Sequence, residues 1–322
     1  MPRAIEEMRS AVAILPKRAR FRSNLALNAA YGGEFQTAER EAQETLKLNP
    51  TYTSGFSALA FAQLGQGQLA EVAETYETLK NTNASQAASG LGDLALYEGR
   101  LSDAAQIYES GATADLTARE FDNAAHKFAA LAYVELTRGH KDKANEAAKL
   151  AVSNSKTFKA KFLAGRILAE TGDAEAARKV AADLASDSQL EPRASAKIVE
   201  GDIAVHSGQI RQGINALTEA NGLLDTWIGR FDLGRAYLAD GAFTQADSDF
   251  DRCLKRRGEA LALFLGAEPT YGYFPHVYYY QGRVREGLGS TGSAESYLTY
   301  LKIRGKAGED PLLAEVRKRA GQ

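Results

Sequence analysis

Cysteine occurs once in the 322 residues, at Cys253. A single thiol excludes an internal disulfide and any zinc cluster built on cysteine, and it leaves the redox compartment open. The four histidines, His126, His140, His206 and His276, show none of the paired spacing of a metal site. No apolar run approaches the roughly 18 residues needed to span a bilayer. The opening stretch MPRAIEEMRSAVAILP is not a signal peptide, because acids interrupt its short apolar run. Charge of one sign is also missing. The formal net charge is −2, far from the basic footprint of a nucleic-acid-binding domain. AYGGEF and GLGSTGSAE are glycine-rich but lack the lysine and the strand context of a phosphate loop. No catalytic constellation, metal site or cofactor is therefore expected. The compartment stays unassigned, with cytoplasmic as the default.

What the chain has in quantity is a repeat. The stretch GEFQTAEREAQETLKLNPTYTSGFSALAFAQLGQGQLAEVAETYETL steps from a glycine into a helix, ends that helix near Pro50, and then repeats the step. Gly33 and Gly67 stand 34 residues apart, as do Ala38 and Val72. Turn glycines recur at Gly99, Gly139, Gly172, Gly208, Gly241 and Gly289. Glycine suits a helix end because it takes the left-handed conformation without a Cβ penalty. Five residues after each glycine stands Ala38, Val72, Ala104, Ala144, Ala177, Gly213, Ala246 or Ala294. Seven residues before it stands Ala26, Ala60, Gly92, Ala132, Gly165, Gly201, Gly234 or Gly282. Small side chains at both places let the two helices of a unit approach closely. Larger contacts are expected from Tyr76, Tyr108, Leu217, Phe250 and Leu298, and Cys253 is expected as a buried thiol.

This pattern resembles tetratricopeptide repeats. The resemblance covers nearly the whole chain, although most units lack the early tryptophan and the terminal proline is present only at Pro16 and Pro50. It implies an all-α fold, a right-handed superhelical solenoid of antiparallel helix pairs. The expected organisation is one array: a half repeat over 1–16, about seven repeats over 17–257, an insertion over 258–275, a last repeat over 276–305 and a capping helix over 309–322. Opening in the second helix of a repeat suits either a piece of a longer protein or a degenerate cap. Spacing stretches between Ala104 and Ala144, where a longer connection is expected from Gly111 to Phe121. Pro269, Gly272 and Pro275 break any helix in the insertion, yet its leucines are too apolar for a free loop. The insertion should fold back onto the array. Asp310 as N-cap and Pro311 in the first turn should open the capping helix.

The segment RRGEALALFLGAEPTYGYFPHVYYYQGRVREGLG is similar to the C-terminal repeat region of bacterial eukaryotic-like serine/threonine kinases. That resemblance implies a regulatory or sensory role beside a kinase domain, extracytoplasmic if the kinase is membrane-anchored. No kinase motif occurs in this chain.

In tetratricopeptide arrays the first helices line the concave groove. The resemblance therefore implies Leu27, Phe61, Asp93, Tyr133, Arg166, Asp202, Arg235 and Arg283 as inward positions. Arg20 and Asn24 fall near the positions of a carboxylate clamp, but their partners do not follow in the next unit. Aromatic–arginine pairs at i, i+4 recur three times: Phe162 with Arg166, Phe231 with Arg235, and Tyr279 with Arg283. Such pairs can stack and still offer a fork to a carboxylate. Two readings of them stand together. In one, Arg166, Asp202 and Arg235 form a structural charge ladder. In the other, the same face binds an acidic peptide or protein segment. Tyr271, Tyr273 and Phe274 are expected in the insertion, with the two tyrosines exposed as a possible binding loop. The function implied is a non-enzymatic protein- or peptide-binding scaffold with no nucleic-acid partner and no membrane insertion.

Overall fold

A computed structural model describes residues 2–321, and among these it contains eighteen α-helices, two 3-10 turns and no strand. The chain packs as two units. Met1–Leu94 with Lys255–Phe274 form the first, and Ala95–Leu254 with Pro275–Gln322 form the second. In chain order the helices are α1 (Pro2–Ile14), α2 (Ala19–Tyr31), α3 (Phe35–Leu48), α4 (Thr53–Gln66), α5 (Leu69–Leu79) and α6 (Ala84–Glu98). There follow α7 (Leu101–Thr117), α8 (Phe121–Thr137), α9 (Lys141–Asn154), α10 (Phe158–Thr171), α11 (Ala174–Ala185) and α12 (Leu190–His206). The last six are α13 (Ile210–Leu223), α14 (Trp227–Asp240), α15 (Phe243–Lys255), α16 (His276–Gly287), α17 (Ser293–Arg304) and α18 (Leu313–Arg319).

All eight turn glycines take positive φ, between 65° and 94°. At Gly33 the amide donates to Ala30 O at 3.0 Å and the next amide, of Glu34, to Ala29 O at 2.8 Å. The same pair of bonds recurs at Gly67, from Gly67 and Gln68. These bonds satisfy the last carbonyls of the first helix and reverse the chain in three residues. The small residues five positions later, from Ala38 through Ala246, are fully buried wherever they are alanine or valine. A Cβ on Gly201 would come within 2.6 Å of Leu217, and one on Gly234 within 2.9 Å of Phe250. The glycines thus make room for the large side chains of the second helix.

Three expectations need correction. The stretch from Gly111 to Phe121 is no long connection. Its residues extend α7 to Thr117, and α8 begins at Phe121, so both helices have 17 residues. The turn between them is closed by Arg119 in the left-handed conformation at φ 63°, where the sequence offers no glycine. Leu298 is exposed, and Tyr297 is the buried partner of Gly282. The cause is the start of α17 at Ser293, four residues after Gly289, whereas α15 starts two residues after Gly241. Finally, the residue before α18 is Leu312, and no side chain caps it. Asp310 accepts from the Leu312 amide at 3.0 Å but spends its other oxygen inside the core.

That oxygen accepts from Arg304 Nε and Tyr300 Oη, each at 2.5 Å, while Arg304 Nη1 donates to Leu96 O at 2.6 Å. Tyr133 Oη lies 3.1 Å from His276 Nδ1, and the Ser102 amide donates to Glu309 at 2.7 Å. The C-terminal part of the second unit is therefore bonded to Leu96, Ser102 and Tyr133 of the same unit. Burial, reinforced by Arg304, lowers the His276 pKa to about 3, so its ring is neutral. Cys253 is buried and its Sγ faces Trp227 O.

The first unit is closed differently. Between Lys255 and Phe274 the chain makes two 3-10 turns, Glu259–Leu261 and Tyr271–Tyr273, and packs on α2, α4 and α6. Folding back was expected; exposure of the tyrosines was not found. Tyr271, Tyr273 and Phe274 are 2%, 4% and 2% exposed, with Tyr271 and Phe274 stacked at 4.8 Å. Rings of that size stay dry because each carries a large apolar surface, worth several times about 0.8 kcal/mol per buried methylene.

Candidate functional site: the charged cavity of the second unit

The three aromatic–arginine pairs form as helix neighbours. The guanidinium carbons of Arg166, Arg235 and Arg283 lie 6.0, 5.9 and 5.9 Å from the rings of Phe162, Phe231 and Tyr279. Their helices, α10, α14 and α16, set them in three first-helix positions of the second unit.

The arginines differ sharply in what else they touch. Arg166 is buried and grips Asp232 with two parallel bonds, Nε to Oδ2 at 2.8 Å and Nη2 to Oδ1 at 2.6 Å. Such a fork is the strong form of an ion pair. Arg235 donates to Glu170 at 2.9 Å and to Asp232 at 3.4 Å, and its fork also lies 5.6 Å from the Tyr280 ring. Arg283 donates to the Tyr279 hydroxyl at 3.0 Å. Its nearest carboxylates, Glu315 and Glu286, stand at 3.5 and 4.0 Å. Arg319 pairs with both of those acids, at 2.7 and 2.5 Å.

Asp202 was expected to sit between Arg166 and Arg235 in a ladder. It stands 3.5 Å from Arg166 Nε without a hydrogen bond, and Asp232 holds the centre instead. Burial first, then the neighbouring Asp232 charge, pushes the Asp202 pKa well up, against the pull of Arg166 and Arg235. Glu170 behaves oppositely: burial works against its charge, but Arg235 and His206 outweigh that and hold it below the ordinary range. Burial lowers the His206 pKa, and its Nε2 lies 3.9 Å from Glu170. Asp232, Glu170, His206 and Tyr280 were not among the residues expected from the sequence. Two of them had a signal. Glu170 and His206 stand one helical turn beyond the inward positions Arg166 and Asp202, on the same faces.

These side chains surround a cavity of about 620 Å³, within the size range of pockets that take small ligands or peptide side chains. Its wall includes Asp202, His206, Asp232, Arg235, Tyr280 and Arg283. Among the described residues no cluster of His, Cys, Asp and Glu could hold a metal ion, and no helix is long and apolar enough to cross a membrane.

No family model matches the chain. Small glutamine-rich tetratricopeptide repeat-containing protein 2 of Saccharomyces cerevisiae is 30% identical to it over 87 residues. That stretch is 26% of this chain and spans only 25% of the yeast protein. With eight glycine-closed helix turns in register, this decides the repeat type. The chain is built of tetratricopeptide-type repeats. Two solved structures share the fold of this repeat array at 15% identity. The APC/C hetero-tetramer Cut9–Hcn1 matches with a TM-score of 0.50, over 100% of this chain and 59% of that one. The human IFIT1 dimer with m7Gppp-AAAA matches with a TM-score of 0.54, over 94% and 67%. The resemblance to kinase repeat regions gains nothing from these comparisons, which concern the repeats alone.

Proposed function

We propose that this tetratricopeptide array is a non-enzymatic scaffold for a protein or peptide partner, and that its charged cavity seats an acidic segment of that partner on Arg283. Arrays of this fold serve as interaction platforms, and the yeast relative shares the repeat. The observation that carries the ligand chemistry is the state of Arg283. Its side chain is 36% exposed on the cavity wall, it donates to the Tyr279 hydroxyl at 3.0 Å, and its hydrogen bond to Glu315 is long, at 3.5 Å. Arg166 and Arg235 are already held by Asp232 and Glu170, so they serve the ladder. An incoming carboxylate can therefore take the Arg283 fork without breaking a close pair. Phe162, Phe231 and Tyr279 act by fixing the arginines, and burial weakens the acid-repelling charge of Asp202.

The test is a fluorescence-anisotropy titration of the full chain with labelled 12-residue peptides, one rich in Glu and Asp, one rich in Lys. The acidic peptide should bind in the micromolar range, about −8 kcal/mol, and lose affinity as salt rises. Arg283→Ala should weaken it about fivefold with the circular-dichroism spectrum unchanged. Equal binding of both peptides, or no response to Arg283→Ala, contradicts the assignment.

A further inference from the structure

The first unit treats the segment Arg257–Phe274 as a groove treats a bound peptide. Side chains of its helices bond to four backbone atoms of the segment. Asp93 of α6 accepts the Tyr271 and Gly272 amides at 2.9 Å each. Tyr31 of α2 donates to Gly266 O at 2.6 Å. Gln86 of α6 donates to Ala267 O at 3.4 Å and is braced by Ser57 of α4 at 2.6 Å. Gly258 lies so close to α2 that a Cβ there would come within 2.4 Å of Ala30 O. Beside these anchors Leu261, Tyr271, Tyr273 and Phe274 are buried.

Two features set this segment apart from permanent core. It is held by short 3-10 turns, and Leu265 sits exposed in the left-handed region at φ 49°, a strained conformation for a bulky residue. The other feature is Asp93. It is 2% exposed, and the two amides are the hydrogen bonds it accepts. A buried acid costs stability that an apolar side chain would not, so a permanent seam gains little from one. Two adjacent N–H groups, by contrast, are what a carboxylate reads in a chain that arrives from elsewhere.

We propose that the faces of α2, α4 and α6 form a peptide-binding surface that the chain occupies with its own segment Arg257–Phe274. A partner segment displaces it by presenting the same chemistry: a tight, tyrosine-bearing apolar turn with two adjacent free amides. The proposal shares the scaffold reading but is independent of the cavity in the second unit, which the acidic-peptide titration tests separately.

The experiment uses the full chain and a labelled synthetic peptide copying residues 256–275. Thr270→Ala removes the hydroxyl that accepts the Leu263 amide and donates to Ala260 O, and Gly272→Pro removes one amide from Asp93. The double variant keeps the groove and loosens the segment. It should bind the peptide with Kd on the order of 10 µM, while the unaltered chain binds at least tenfold more weakly. Adding Asp93→Ala to the double variant should abolish binding. A folded double variant that ignores the peptide, or that binds no better than the unaltered chain, overturns the proposal. Should the double variant fail to fold, hydrogen exchange on the unaltered chain decides. The Tyr271 and Gly272 amides should exchange at least tenfold faster than amides of α4, and equal protection would make the segment permanent core.

Discussion

The two units bury their polar side chains by different means. In the first, a short irregular segment with four buried apolar side chains bonds to Tyr31, Gln86 and Asp93. In the second, Tyr133 meets His276 of α16, Arg283 stands near Glu315 of α18, and Arg166 and Arg235 pair with Asp232 and Glu170. The difference lies in the side chains that have to be paired. In the first unit a strap dries apolar side chains and satisfies one buried acid, Asp93, with two amides. Charged ones must each find a partner, because a buried unpaired charge is costly, and the geometry of pairing leaves space. The cavity of about 620 Å³ is that space.

The largest effect should come from the lock of the second unit. Arg304→Ala strands the buried Asp310 carboxylate and should lower unfolding stability by about 3–5 kcal/mol, read by urea denaturation. If α16 and α17 stay as protected from hydrogen exchange as before, the lock is not what closes this unit.

The next effect belongs to the first unit and depends on pH. Burial raises the Asp93 pKa to about 7, although the Gly272 and Tyr271 amides pull it down, and Tyr76 of α5 also faces it. The closed unit therefore holds a proton that the opened unit releases. Its contribution is complete below about pH 4 and is lost as pH rises through 7, a change of roughly 2–4 kcal/mol. Asp93→Asn keeps an oxygen for the amides and removes the titration. The difference between the two stability profiles should fall with pH over that window, and parallel profiles would contradict the assignment.

A smaller and purely steric effect tests the repeat register. Ala246 is fully buried where α15 meets α14. Ala246→Leu should overpack that contact and cost about 1–3 kcal/mol in the denaturation midpoint. An unchanged midpoint would place the close approach elsewhere.

The repeat was legible because it is written in backbone requirements. Eight glycines at left-handed turns and the small residues around them announce helix pairs without reference to distant chain. Arg119 was not legible, since an arginine in the left-handed conformation leaves no mark in the sequence. The breaking of helices at Pro269, Gly272 and Pro275 could be read, and so could the return of that segment to the array. Its target could not, because Asp93 and Tyr271 are 178 positions apart and only folding pairs them. The arginine column was legible from its i, i+4 spacing. Which arginine is already taken depends on Asp232, which stands beside Phe231 and off the inward column, so pairing could not be read there.

The first unit is occupied by its own chain, while the second keeps a charged cavity. Hydrogen-exchange footprinting of the full chain with a saturating acidic peptide tests this most directly. New protection is expected in α12, α14 and α16, around Asp202, Arg235 and Arg283, with α2, α4 and α6 unchanged. Protection confined to α2, α4 and α6, with the cavity helices unaltered, would contradict it.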